Sequence, residues 1–191
     1  MNKILIVVAL VSMLALGACG SAAKETPGDA PGPTEAADTK QGGHAEMHHS
    51  GLGKLPDGLR AAESPTYPVG SQAVIADAHM SGMEGAEVTI AGAYDTTAYI
   101  VSYTPTDGGE PVVEHKWVVH EELEGAAGKG PLAPGEEAVL AADHLPGMAG
   151  ATATIDAVEQ TTVYSVDFIS TTTGEEVKGH LWVTEEELAQ P

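Results

Sequence analysis

Histidine and methionine recur together in this chain, at matching places in a duplicated segment. Residues 70–123 align without a gap on residues 135–188, with roughly half of the paired positions identical. His79-Met80-Ser81-Gly82-Met83-Glu84-Gly85-Ala86 in the first copy becomes His144-Leu145-Pro146-Gly147-Met148-Ala149-Gly150-Ala151 in the second. His115-Lys116-Trp117-Val118 becomes His180-Leu181-Trp182-Val183. Met47, Met80, Met83 and Met148 all lie within a few residues of a histidine. Thioether with imidazole is a soft ligand set suited to copper.

The glycines of the His-x-x-Gly-Met-x-Gly-Ala loop permit a tight path with positive φ, which would carry the imidazole and the sulfur to one side. His79, Met80 and Met83 would then offer one nitrogen and two sulfurs, and His144 and Met148 one of each. An exposed methionine on such a loop gains little from burial, so a ligand role accounts for its placement. A methionine that plugs the end of a barrel is the plain structural alternative. His115 and His180 stand two residues before a tryptophan and share its strand face. They are either buried and hydrogen-bonded or at a rim, where they could close onto the methionine loop. There the indole would shield a Cu(I) ion by a cation–π contact. His44, Met47, His48 and His49 form a further tract of the kind that binds metal without a fold. His120 is replaced by Glu185 in the second copy and reads as a surface residue. Glu121-Glu122 and Glu185-Glu186-Glu187 read as solvated helix-start residues rather than an acid/base pair. No nucleophile-elbow serine, phosphate-binding glycine loop, Cys-His pair or His-Glu-x-x-His is present, so no catalytic residue is assigned and the chain reads as a non-enzyme.

The elements that must position these residues read as β-structure. Apolar residues alternate or run together at 72–76, 86–91, 97–104 and 111–119, and again at 137–141, 151–157, 162–169 and 176–184. Gly-rich turns separate them, and a Glu-Glu-Leu turn follows each tryptophan strand. Four short strands per copy predict an all-β chain of two tandem small SH3-like β-barrel repeats, 65–124 and 135–191, joined by a Gly/Ala/Pro linker at 125–134. A single β-sandwich built from both copies is the alternative. Aromatic content is only 4%. Trp117 and Trp182 are therefore the main core residues, helped by Tyr99, Tyr164, Tyr103 and Phe168, and each copy leans on the other.

Residues 1–18 read as a lipoprotein signal peptide: Lys3, then an apolar run too short for a membrane span, then Leu16-Gly17-Ala18-Cys19. Cys19 is the single cysteine, placed for lipidation, so the mature chain has no disulfide and no thiolate metal site. Residues 19–64 are poor in large apolar groups and predict a disordered tether that lets the repeats stand off the membrane. The formal net charge of −20 argues against nucleic acid and against direct docking on anionic lipid.

Taken together, the lipobox, His-Met-x-Gly-Met-x-Gly-Ala, Thr-Thr-x-Tyr-x-Val-x-Tyr-Thr-Pro-Thr, Gly-Gly-Glu, His-Lys-Trp-Val and Glu-Glu-Leu resemble the YdhK family of tandem-repeat bacterial lipoproteins. That family is similar to CopL, a surface-exposed copper-binding lipoprotein of copper-resistance operons. The resemblance implies a lipid-anchored protein on the extracytoplasmic face of the cell membrane that sequesters or buffers copper. Cu(I) would be favoured and Cu(II) possible, with a copper-exporting ATPase system as companion. The second loop departs from the pattern at Leu145-Pro146, losing one sulfur. Two other functions fit the same residues. One is a module binding wall glycan or peptide through Trp117, Trp182 and nearby tyrosines. The other is a copper donor to an envelope cuproenzyme.

Overall fold

The structure is a computed structural model and describes residues 54–191. The signal peptide, Cys19 and the tract His44, Met47, His48 and His49 lie outside the described residues. Eight strands appear in chain order: β1 (Arg60–Ala61), β2 (Gln72–Ile75), β3 (Glu87–Tyr103), β4 (Val112–Val119), β5 (Glu137–Val139), β6 (Thr152–Ile169), β7 (Glu176–Thr184) and β8 (Leu188–Ala189). Single 3-10 turns, His120–Glu122 and Glu185–Glu187, follow β4 and β7. Among the described residues no helix is long and apolar enough to cross a membrane.

The all-β class and the tandem repeat hold, but the copies are not separate barrels. The second and third predicted strands of each copy are one continuous strand, β3 of 17 residues and β6 of 18. These two pair antiparallel along nearly their whole length, from Val88 opposite Phe168 to Tyr103 opposite Ala153. The result is one open eight-stranded sheet, with β5-β6-β3-β2-β8 as its backbone and β1, β4 and β7 branching from the long strands. The physical reason is local. Tyr94–Thr97 interrupts the apolar alternation and looks like a break. In the fold its backbone groups are satisfied by Val163–Gln160 of the other copy, so the strand need not end. A bulge between Ile90 and Gly92 absorbs the bend.

Because the long strands cross as antiparallel partners, each core mixes both copies. One cluster packs Ile75, Met83, Val88 and Ile90 with Tyr164, Val166, Phe168 and Leu188. The other packs Tyr99, Val101, Tyr103 and Leu123 with Leu140, Met148, Ala153 and Ile155. Between them Trp117, Val119, Val163 and Trp182 form a third, central cluster. The tryptophans are thus core residues, as their size predicts, and neither offers a surface platform for glycan: they are 5% and 0% exposed. The tether boundary at residue 64 is too late. Arg60–Ala61 already pairs with β3, the Ala62 amide donates to the Ala93 carbonyl, and Leu59 packs on the central cluster.

Candidate metal site

The glycines of the two His-x-x-Gly-Met loops take the positive φ that the sequence allows, +83° at Gly82 and +73° at Gly147. Each is held by the hairpin turn of the other copy. The Thr171 amide donates to the Gly82 carbonyl at 2.9 Å, and the Thr106 amide to the Gly147 carbonyl at 2.8 Å. A Cβ at either glycine would collide with that turn, with Ser170 Oγ in one case and Asp107 Oδ1 in the other. Only glycine satisfies both the handedness and the approach.

Each loop histidine meets a buried glutamate. His79 Nδ1–H donates to Glu187 Oε1 at 3.0 Å, and His144 Nε2–H donates to Glu122 Oε1 at 2.7 Å. The other oxygen of each carboxylate takes an indole and an amide. Glu187 Oε2 accepts Trp117 Nε1–H at 2.8 Å and the Thr184 amide at 3.0 Å. Glu122 Oε2 accepts Trp182 Nε1–H at 3.1 Å and the Val119 amide at 2.9 Å. The sequence alone makes these glutamates look solvated; they are 5% (Glu122) and 2% (Glu187) exposed. The signal that could have found them is the repeated Trp-to-Glu spacing in Trp117-Val118-Val119-His120-Glu121-Glu122 and Trp182-Val183-Thr184-Glu185-Glu186-Glu187. A charge that recurs at a fixed distance from a core tryptophan has a use for that distance.

The second histidine of each site comes from the opposite copy. His79 stacks on His180 with ring centroids 5.7 Å apart, and His144 lies 6.0 Å from His115. Phe168 stands edge-on to His180, and Tyr103 edge-on to His115. His180, which is buried rather than at a rim, and His115 thus each contact the loop histidine of the other copy. The tryptophan does not accompany them. A bulge between the pairs Tyr99–Val118 and Val101–His115 turns the strand. His115 thus reaches the Glu122 site while Trp117 donates to Glu187, and the predicted indole shield over a copper ion is replaced by a hydrogen bond to a carboxylate.

Met83 and Met148 are 0% exposed, each in a mixed core. Burial alone accounts for their placement, and neither sulfur is the exposed donor that the sequence suggests. Met80 is partly buried against the same core as Met83. His120 is not a free surface residue: its Nδ1 faces the Tyr99 hydroxyl at 2.9 Å and its Nε2 the Ala126 carbonyl at 3.1 Å. His79 Nε2, by contrast, is buried and has no hydrogen-bond partner among the described residues. In the neutral imidazole with Nδ1–H toward Glu187, that nitrogen would carry an in-plane lone pair, the arrangement in which a carboxylate orients a metal-binding imidazole. Tyr103 offers no phenolate, since burial, and then the nearby Asp107 charge, push its hydroxyl up to about 12.

Lys116 makes the two sites unequal. Its Nζ lies 3.8 Å from Glu187 Oε1 and 5.2 Å from the Trp117 ring centroid, whereas Leu181 stands at the matching place in the second copy. Burial raises the Glu187 carboxyl. The His79 hydrogen bond and charge, with the Thr184 amide and Trp117 indole, outweigh this and leave it below the usual glutamate value. A depressed carboxylate stabilises the fold above its unfolded value and loses that contribution as pH falls through the folded one. Urea midpoints of the metal-free chain should therefore fall steeply as pH drops below about 4.3, the ordinary glutamate value. Glu187→Gln should flatten that fall. An unchanged slope in the variant would remove Glu187 as its source.

Chains of known structure share this arrangement of strands. The crystal structure of YdhK from Bacillus subtilis is 57% identical and covers 78% of this chain and 100% of its own, with a TM-score of 0.73. A solution structure of the YdhK C-terminal domain is 59% identical over 64% of this chain and 92% of its own, with a TM-score of 0.62. In sequence, the relative named "Uncharacterized protein YdhK" of Bacillus subtilis is 58% identical over 146 residues, 76% of this chain and 71% of that one. None of these is named for an enzymatic activity. The family described as "Protein of unknown function (DUF1541)" matches residues 69–120 and again 134–185, one match per copy. With its two copies exchanging strands around paired histidines, this chain belongs to the DUF1541 family.

Proposed function

We propose that this chain is a non-enzymatic copper-binding lipoprotein, anchored through Cys19 on the extracytoplasmic face of the membrane, that buffers copper and lowers its toxicity. One observation carries the reading: the buried Nε2 of His79, unpartnered, in an imidazole oriented by Glu187 and stacked on His180. A nitrogen so placed is costly to the fold unless something completes it. Met80 and Met83 in the adjoining core supply soft donors, and a soft set favours Cu(I) over harder cations. His144 with His115 and Met148 forms the second, sulfur-poorer site. The resemblance of the sequence motifs to a family similar to CopL favours the same reading, and His44, Met47, His48 and His49 would gather Cu(I) or Cu(II) ahead of the folded sites.

The test is an anaerobic Cu(I) competition titration against a chromogenic chelator, on residues 54–191 without a histidine tag. Tight binding of one or two ions is expected. Replacing oriented supporting residues costs about 10–100-fold in metal affinity, so His79→Ala with His144→Ala should cost at least about 100-fold. Met83→Leu with Met148→Leu should weaken Cu(I) binding and leave the fold intact, because thioether-for-isobutyl exchange conserves volume and costs less than about 1.5 kcal/mol per site. Absence of competition by the unaltered chain would sink the reading for the folded part. Unchanged affinity in the methionine pair would confine the ligands to histidine.

A further inference from the structure

The first copy carries buried or packed aromatic rings that the second lacks: Tyr94, edge-on to Trp182 and opposite Glu159 in the alignment, and Tyr67. In the first copy Tyr67 precedes β2. Its ring is buried edge-on against Tyr164 at 5.8 Å, and its hydroxyl donates to the Leu188 carbonyl at 3.2 Å. The alignment of the copies, continued back from Gly70 and Gly135, places Leu132 opposite Tyr67 and Leu123 opposite Leu188. The backbone agrees. The Ser71 amide donates to the Pro68 carbonyl as the Glu136 amide donates to that of Ala133. Tyr99, the partner of Tyr164 in the alignment, accepts the Leu132 amide at 3.2 Å. Leucine does not reach where tyrosine reaches. Beside Leu132 lies a cavity of about 370 Å³, walled by Leu123, Ala126, Ala138, His120 and Lys129.

We propose that this cavity is a binding site for a phenolic ring from outside the chain, seated beside Leu132 at the position where the other half carries Tyr67. Leu123, Ala126, Leu132, Ala138 and Val139 give it apolar walls, and Glu124, Lys129, Glu137 and Thr152 give it polar ones. The Leu123 carbonyl accepts one turn bond, from the Ala126 amide at 3.2 Å, and has a second lone pair for a hydroxyl. His120 is fixed as a wall by its two hydrogen bonds, to Tyr99 and to Ala126, so the site is formed before any ligand arrives. The volume exceeds the difference between tyrosine and leucine, and Gly125, Ala126, Lys129 and Gly130 after Leu123 complete the wall. The site therefore has room for a ring carrying further substituents. It is separate from the copper reading and does not depend on it.

The test uses p-cresol, the tyrosine side-chain analogue, titrated into the mature chain and followed by amide chemical shifts. Saturable binding with a dissociation constant on the order of 1 mM is expected for a fragment of this size, with shifts centred on residues 123–139. Toluene, which lacks the hydroxyl, should bind at least about threefold more weakly. Leu132→Tyr should fill the site from within, raise the urea midpoint and weaken p-cresol at least about tenfold. Shifts scattered over the surface, equal binding of toluene, or full p-cresol binding by a folded Leu132→Tyr chain would each overturn the proposal. Should that variant fail to fold, the shift map on the unaltered chain decides alone. A blocked tyrosine tripeptide moving the same amides would identify a polypeptide source; p-cresol alone moving them would identify a small molecule.

Discussion

A fragment carrying residues 54–130 alone will not fold as a monomer. The core around Ile75, Val88 and Ile90 takes Tyr164, Val166, Phe168, Val183 and Leu188 from the second copy. Burying five such side chains contributes about 7–15 kcal/mol, at roughly 1.5–3 kcal/mol each. That is as large as the whole net stability of an ordinary domain, about 5–15 kcal/mol. The fragment also loses every ladder bond between β3 and β6, the longest pairing in the sheet. Its amide spectrum should be collapsed at low concentration, and any dispersed form should sediment as a dimer, each copy playing the part of the missing one. Adding residues 131–191 should restore a single folded species. A dispersed spectrum from a monomeric fragment would refute the exchange of strands.

The second large effect lies at Glu187. Glu187→Ala removes the acceptor of an imidazole, an indole and an amide at once, in a site where the carboxylate is 2% exposed. Breaking a buried, hydrogen-bonded charge from one side costs about 3–5 kcal/mol, and urea unfolding should show a loss of that size. Glu187→Gln should cost less, about 1–2 kcal/mol, since one oxygen still accepts from Trp117 and Thr184. Its amide group would face His79 with a donor, however. The imidazole must then accept at Nδ1 and carry its proton on Nε2. The lone pair that the copper reading needs is lost while the fold survives. Nitrogen shifts of His79 report the tautomer directly, and Cu(I) affinity should drop with it. A Gln variant that keeps both its Nδ1–H tautomer and full affinity would show that the carboxylate does not orient the site. Glu122→Ala should cost a similar amount of stability, because it too holds a histidine, a tryptophan and an amide.

Much of the architecture was legible because it is written in short-range patterns. Alternation of apolar residues marked the strand segments, positive-φ glycines marked both loops, and the size of Trp117 and Trp182 put them in the core. Three readings failed for one common reason. Met83 and Met148 looked exposed, Glu122 and Glu187 looked solvated, and His115 looked to share a site with Trp117. Each depends on what a residue far along the chain brings to the same place, and burial is a property of that meeting rather than of either partner.

By itself, the sequence determined the all-β class, the duplication, the export signal as an expectation, and the small set of imidazoles and thioethers on which any metal chemistry must draw. Those follow from composition and from periods of two residues, which every neighbour along the chain helps to set. Only the tertiary structure decided that the copies trade strands, that each histidine pair is drawn from both, and that a carboxylate holds each loop histidine. Which of two identical sheet edges a strand joins is nearly neutral locally, since the ladder bonds are alike in either case. The choice is made by the cores that the long strands β3 and β6 create when they pair with each other.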